Sequence, residues 1–229
     1  MGIFSTATGY EKVPAPVSEP AAGARRIAEI PAPSQAVQIA ARLKLVLNAD
    51  HSMVMVAGIK SHQDGSSLLA AALGAAFAGM DQNEVLIVDG NTHHSILGAI
   101  LGVPEAPGLL DVLDDRGEVD DVIQAAASGN VRFLPLGRSP RSLASLMGQP
   151  RFTQVIDHLR QFYRCILVDC GIMFGSPDAL LLAPLCNGIV GAAAAGVRKR
   201  HEILDFQEGL LKLRIPLLGI VLTEGGGLK

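Results

Sequence analysis

The sequence has no tryptophan and only two tyrosines, and its aromatic share is 4%. Its core must therefore be built from Ala, Leu, Val and Ile, the composition of parallel sheets covered by helices. Cysteine is scarce as well. Cys165, Cys170 and Cys186 make an odd count, form no CxxC and lie in apolar stretches. This excludes a disulfide scaffold and points to reduced, buried thiols in a cytoplasmic setting. A charge surplus is also missing, the net charge being −3. Without a clustered basic excess, no nucleic-acid partner is expected. The one compact basic run, Arg198-Lys199-Arg200-His201, reads as a solvated helix start. Met1 is not followed by a basic region and an apolar core, so no secretory leader is read there. The apolar stretch from Leu180 to Val197 is broken by Pro184, Asn187 and Gly188. It reads as a buried helix followed by a buried strand rather than a membrane span.

What is present is a chain of 229 residues, 49% hydrophobic and 18% charged, enough for one large core. Residues 1–34 carry prolines at 14, 16, 20, 31 and 33 and are expected to be a flexible tail. Residues 35–229 are expected to form one domain. An amphipathic helix opens near Ser34, with Val37, Ile39, Ala40, Leu43, Leu45 and Val46 as its apolar residues. Apolar strands follow at 53–58, 84–90, 131–137, 164–171, 188–196 and 216–224. Helical patterns separate them, notably 66–79, Phe152 to Phe162 and Arg198 to Leu213. Strands alternating with helices predict an α/β fold with a doubly wound, mostly parallel sheet. Ligands of such sheets sit beyond the carboxyl ends of the strands, here 58–67, 89–95 and 169–173.

The first of these segments is nearly a phosphate loop. That motif, G-x-x-x-x-G-K-[ST], joins a strand to a helix: glycines let backbone N–H groups wrap the phosphates, the lysine neutralises their charge, and the hydroxyl binds Mg²⁺. Here Gly58-Ile59-Lys60-Ser61-His62-Gln63-Asp64-Gly65-Ser66-Ser67 stands between a strand and a helix. Gly65 takes the last glycine position and Ser67 the Mg²⁺ hydroxyl, but Ser66 fills the lysine slot. Lys60 is the remaining candidate to reach a phosphate. His93 and His94 look like a metal pair, but adjacent residues on a helix do not face one another.

From about residue 35 to 224 the chain resembles the cytoplasmic domain of bacterial tyrosine autokinases of capsule and exopolysaccharide systems, relatives of the ParA/MinD ATPases. Segments carry the likeness in order: "QDGSSLLAAALG" at the loop, "VLIVDGNTHHS" at the second strand, "GLLDVL" (108–113), "LPLGRSP" (134–140), "YRCILVDCGI" before Pro177-Asp178-Ala179, and "LGIVLT" (218–223). The resemblance implies a P-loop-type fold, ATP with Mg²⁺ as cofactors, and Ser67, Asp89 and Asp169 as the Mg²⁺ network. It also shows what is altered. The family's loop lysine is Ser66, its second strand-two aspartate is Asn91, its arginine pair is His93-His94, and its adenine-side Asn is Thr223. The C-terminal tyrosine cluster is replaced by "TEGGGLK", which leaves Tyr10 and Tyr163. The family's homo-oligomer motif is not recognisable in "SQAVQIAARLK" (34–44).

These departures imply a catalytically impaired protein whose ATP and Mg²⁺ binding is weak or absent. Asp89 and Asp169 would be vestigial, and Gly65, Ser66 and Ser67 would form a degenerate phosphate loop. The implied role is a cytoplasmic partner of an inner-membrane polysaccharide copolymerase or of an intact kinase paralogue. Two other readings stand beside it: an active kinase with a rearranged loop using Lys60, and a ParA/MinD-like positioning ATPase.

Overall fold

The computed structural model describes residues 34–47, 51–80, 84–126 and 130–224. The expected tail, with Tyr10, lies outside them apart from Ser34, as does the end of the chain after Glu224.

Six parallel strands and one short antiparallel strand form a single sheet. They are β1 (Ser52–Gly58), β2 (Val85–Asp89), β3 (Gln124–Ala125), β4 (Val131–Leu134), β5 (Cys165–Ile172), β6 (Gly188–Ala194) and β7 (Leu217–Thr223). Their spatial order is β3-β4-β2-β5-β1-β6-β7, and only the β3–β4 pairing is antiparallel. The six strands expected from the sequence are all present; β3 was not foreseen. The strand expected at 131–137 ends at Leu134, because Pro135 has no N–H to continue a ladder.

Side chains alternate across the sheet and make two buried layers. Met53, Met55, Leu86, Val88, Ile166 and Val168 face α4 (Leu109–Leu113), α6 (Leu143–Met147), α7 (Pro150–Phe162), α8 (Pro177–Leu182) and α9 (Arg200–Lys212). Val54, Val56, Val85, Ile87 and Leu167 face α1 (Ser34–Leu47), α2 (Ser66–Met80) and α3 (Leu97–Leu101). A further short helix, α5 (Val119–Val122), precedes β3. The strand cores are therefore apolar on both faces, which explains their unbroken hydrophobic runs. Gly74 lets α2 lie against β2: a Cβ there would meet Ile87 Cδ1 at 2.5 Å.

One expectation needs correction. On α1 the buried residues are Ala36, Ala40 and Leu43, whereas Leu45 is 82% exposed and Val37 and Val46 are exposed too. Small residues let α1 approach the Ala-rich α2 closely, and that sets the helix's rotation. Among the described residues, no helix is long and apolar enough to cross a membrane.

Candidate functional site

Because β1, β5 and β2 are parallel neighbours, their carboxyl ends open at one edge of the sheet. Asp89 and Asp169 are register partners there, and Val56 of β1 pairs with Asp169 from the other side. The loop 59–65 then crosses the same edge and delivers the N-terminus of α2.

The loop is folded by its own carboxylate. Ser61 caps a 3₁₀ turn, His62–Asp64. Asp64 Oδ2 accepts from the N–H groups of Lys60 (2.8 Å) and Ser61 (2.9 Å), and Asp64 Oδ1 accepts from the N–H of Ala194 (3.1 Å). Gly65 follows at φ +76°, a conformation that favours glycine. Thr223 secures the loop from β7, its hydroxyl donating to the Asp64 carbonyl at 2.9 Å. The spacing Ser61-x-x-Asp64 is a capping-box pattern, so Asp64 carried a readable signal that the sequence reading did not use.

Asp64 has no exposed surface, and its charge is matched by Arg198, whose Nε lies 2.8 Å from Asp64 Oδ1. That contact is ionic, without hydrogen-bond alignment. Arg198 is 11% exposed and also sits 3.7 Å from Glu202. It is thus a largely shielded structural cation, not part of a solvated helix start, because the chain leaving β6 passes directly over the loop. Nothing local to Arg198 in sequence announces this.

Lys60 is 59% exposed, and its Nζ forms an ion pair with Glu202 Oε1 at 2.7 Å. Hydrogen bonds from Lys60 and from the Lys199 N–H hold the Glu202 carboxyl at about 2, below its usual range. The lysine is therefore directed at α9. Ser66 and Ser67 are buried in the first turn of α2. Ser67 Oγ donates to Asp169 Oδ2 at 2.5 Å, and the Gly171 N–H donates to Asp169 Oδ1 at 3.1 Å. Asp89 Oδ1 accepts from the Asn91 N–H at 3.0 Å, and its Oδ2 accepts from the Ser95 hydroxyl. Burial is the main cause that raises both carboxyls: Asp89 reaches about 7, with the neighbouring Asp169 adding to the shift, and Asp169 rises despite its bond from Ser67.

Asn91 acts as a fastener. Its Oδ1 accepts from the His94 N–H at 3.0 Å and its Nδ2 donates to the His94 carbonyl at 2.7 Å. Thr92 Oγ1 donates to Asp178 at 2.7 Å and ties the segment to α8. Residues 91–96 are not helical, so helix geometry does not separate His93 from His94. Gly171 stands opposite at φ +62°, and a Cβ there would lie 2.6 Å from Asn91 Oδ1.

The structure thus brings Gly65, Ser66, Ser67, Asp89 and Asp169 together and turns Lys60 away. It also adds Asp64, Arg198, Ser95 and Thr223. A loop-bounded helix N-terminus thus stands beside two strand-end carboxylates at the edge of the sheet where ligands of such folds sit.

No protein-family model matches the chain. It is similar to curated tyrosine-protein kinases. It is 25% identical over 154 residues to the tyrosine-protein kinase CpsD of Streptococcus agalactiae, covering 67% of this chain and 66% of that protein. It is 25% identical over 179 residues to the tyrosine-protein kinase wzc of Salmonella typhi, covering 78% of this chain and 25% of that protein. The chain therefore matches just under two thirds of one relative and a quarter of the other. Among solved structures, the chimerical protein CapA2B2 superposes with a TM-score of 0.74 at 23% identity, covering 82% of each chain. The more distant MinD of Pyrococcus horikoshii, solved with Mg-ADP, has a TM-score of 0.53 at 24% identity and covers 75% of this chain and 69% of that one. The fold is that of these kinase domains and of the ParA/MinD ATPases.

Proposed function

We propose that this protein serves capsule or exopolysaccharide assembly as a catalytically weakened relative of the tyrosine kinases. It would work as a cytoplasmic partner of an inner-membrane polysaccharide copolymerase or of an intact kinase paralogue. One observation carries the reading. The lysine slot holds a buried serine, Ser66, and the nearby loop lysine, Lys60, is ion-paired with Glu202.

The residues at the site fit Mg²⁺ and phosphate. Ser67 Oγ and the carboxylates of Asp169 and Asp89 are hard oxygen donors, as Mg²⁺ requires. The 15-residue α2 presents its N–H end beside them, a natural place for an anion. A nucleotide bound with its metal would supply the phosphoryl group. Ser66, Ser67 and the α2 backbone would hold its phosphates, and Asp169 and Asp89 its metal. What is missing is charge for the transfer itself. Phosphoryl transfer is catalysed by positioning and charge stabilisation, and one lost charge-assisted contact costs about 2–4 kcal/mol. Binding is therefore retained better than chemistry.

The test is direct. Purified protein incubated with ATP and Mg²⁺ should yield no phosphotyrosine by mass spectrometry. In cells, deletion of the gene should abolish polymer, and a folded Asp89→Asn, Asp169→Asn variant should restore it. Phosphotyrosine that disappears in Asp169→Asn, or a folded variant that fails as completely as the deletion, overturns the reading.

A further inference from the structure

Three imidazoles stand at the mouth of this loop, and they come from two strand ends. His62 lies in the turn after β1; His93 and His94 follow β2. The His62 and His94 rings are 5.0 Å apart between centroids, inclined at 52°. All three residues are exposed. The clustering is built in: the Asn91 amide pins the His94 backbone through two hydrogen bonds, and the Ser61 cap sets the turn that carries His62.

The charges around the cluster come from every neighbouring element. Asp169 faces it from β5. Asp89 stands at the end of β2, and Ser66 and Ser67 lie in the first turn of α2. From the loop, Lys60 turns to Glu202 of α9, and Asp64 is buried against Arg198. Burial lowers the titration of His62, the nearby His94 and His93 lower it further, and Asp169 opposes them. Like charges beside His62 disfavour its protonation, and an anion seated next to it would favour it. Imidazole is also the side chain whose charge changes near neutral pH. A metal is the usual alternative for clustered histidines, but among the described residues no group of three His, Cys, Asp or Glu side chains could hold one.

We propose that His62, His93 and His94 form the anion-facing side of the site and take the phosphates of a nucleoside polyphosphate as imidazolium donors where a loop lysine is absent. The inference rests on the nucleotide-site reading above. Binding would then be coupled to proton uptake: the ligand raises the imidazoles' affinity for protons, and acid tightens the complex.

Calorimetry on the full chain, with ATP and with inorganic tripolyphosphate as probes, tests this at about pH 6 and about pH 8. Wild-type affinity should fall by about tenfold or more across that interval, the effect of losing at least one favourable charge contact. The His62→Gln, His93→Gln, His94→Gln variant should lose most of that dependence and bind at the lower pH as weakly as wild type does at the higher. Tripolyphosphate sharing the ATP dependence identifies the phosphates as what is read; dependence confined to ATP places the histidines on a nucleotide. Should the triple variant melt early, NMR titration of the imidazole signals in the wild type replaces it, with the His62 midpoint expected to rise on adding ATP. A pH dependence that survives in the folded triple variant assigns the effect to groups other than these imidazoles, such as Asp89, Asp169 or the probe's own phosphates, and overturns the inference. Flat affinity, or a His62 midpoint that does not rise, overturns it equally, and in each case the nucleotide site stands. Absence of binding by either probe at the lower pH removes both readings.

Discussion

Arg198 crosses from the end of β6 to lie 2.8 Å from Asp64, a carboxylate that has no exposed surface. The pair joins two elements that are remote in sequence and locks the loop after β1 against the end of the neighbouring strand β6. Removing only the cation leaves a buried charge held by three N–H groups. Arg198→Met should therefore destabilise the fold by about 3–5 kcal/mol. Asp64→Asn with Arg198→Met should cost clearly less than the sum of the single changes. Chemical denaturation of the four proteins measures the coupling; additive single effects would show that the pair is not a unit.

Asp89 makes stability depend on pH in an uncommon direction for an aspartate. Its carboxyl is raised to about 7 by burial, far above its value in an unfolded chain. The folded protein therefore binds the proton more tightly than the unfolded one. The stability from this group is fully present below about pH 4 and is lost as pH rises through about 7. Asp89→Asn removes a buried charge while keeping an acceptor for Asn91 and Ser95. It should raise Tm relative to wild type at about pH 8, corresponding to ~1–3 kcal/mol, and the gain should vanish near pH 4. Thermal melts across that range decide, and a gain independent of pH would contradict the assignment.

Ser66→Lys should return the missing cation to the first turn of α2, beside Asp169. ATP affinity is expected to tighten by about tenfold, ~1.4 kcal/mol. Lys60→Ala should leave affinity nearly unchanged and cost at most about 1 kcal/mol of stability, since the lysine end of its pair with Glu202 is 59% exposed. Calorimetry with ATP and Mg²⁺ separates the two. Loss of ATP binding in Lys60→Ala would mean that the loop rearranges around its ligand and that Lys60 is the working cation.

The six parallel strands were legible because each is an apolar run bounded by Gly, Pro or a charge. The short helices α3, α4, α5, α6 and α8 were not, since four to six residues carry too little periodicity. On α1 the larger side chains drew attention, while Ala36, Ala40 and Leu43 determine the packing. At the site, Ser67, Asp89 and Asp169 could be found because each ends or follows a strand at the ligand edge. Arg198 could not be found, because its role depends on where β6 delivers it relative to a loop far earlier in the chain.

Gly171 and Asn91 face each other across two strand ends with no room for a methyl group between them. The order in which these positions can change is therefore fixed. A side chain at 171 needs Asn91 to give way to something smaller, which also unfastens His94, and it still meets the strain of φ +62°. A small residue at 91, by contrast, can appear first without a clash. Substitution at this site therefore has a direction: a change on the histidine-bearing segment has to precede one at the β5 end.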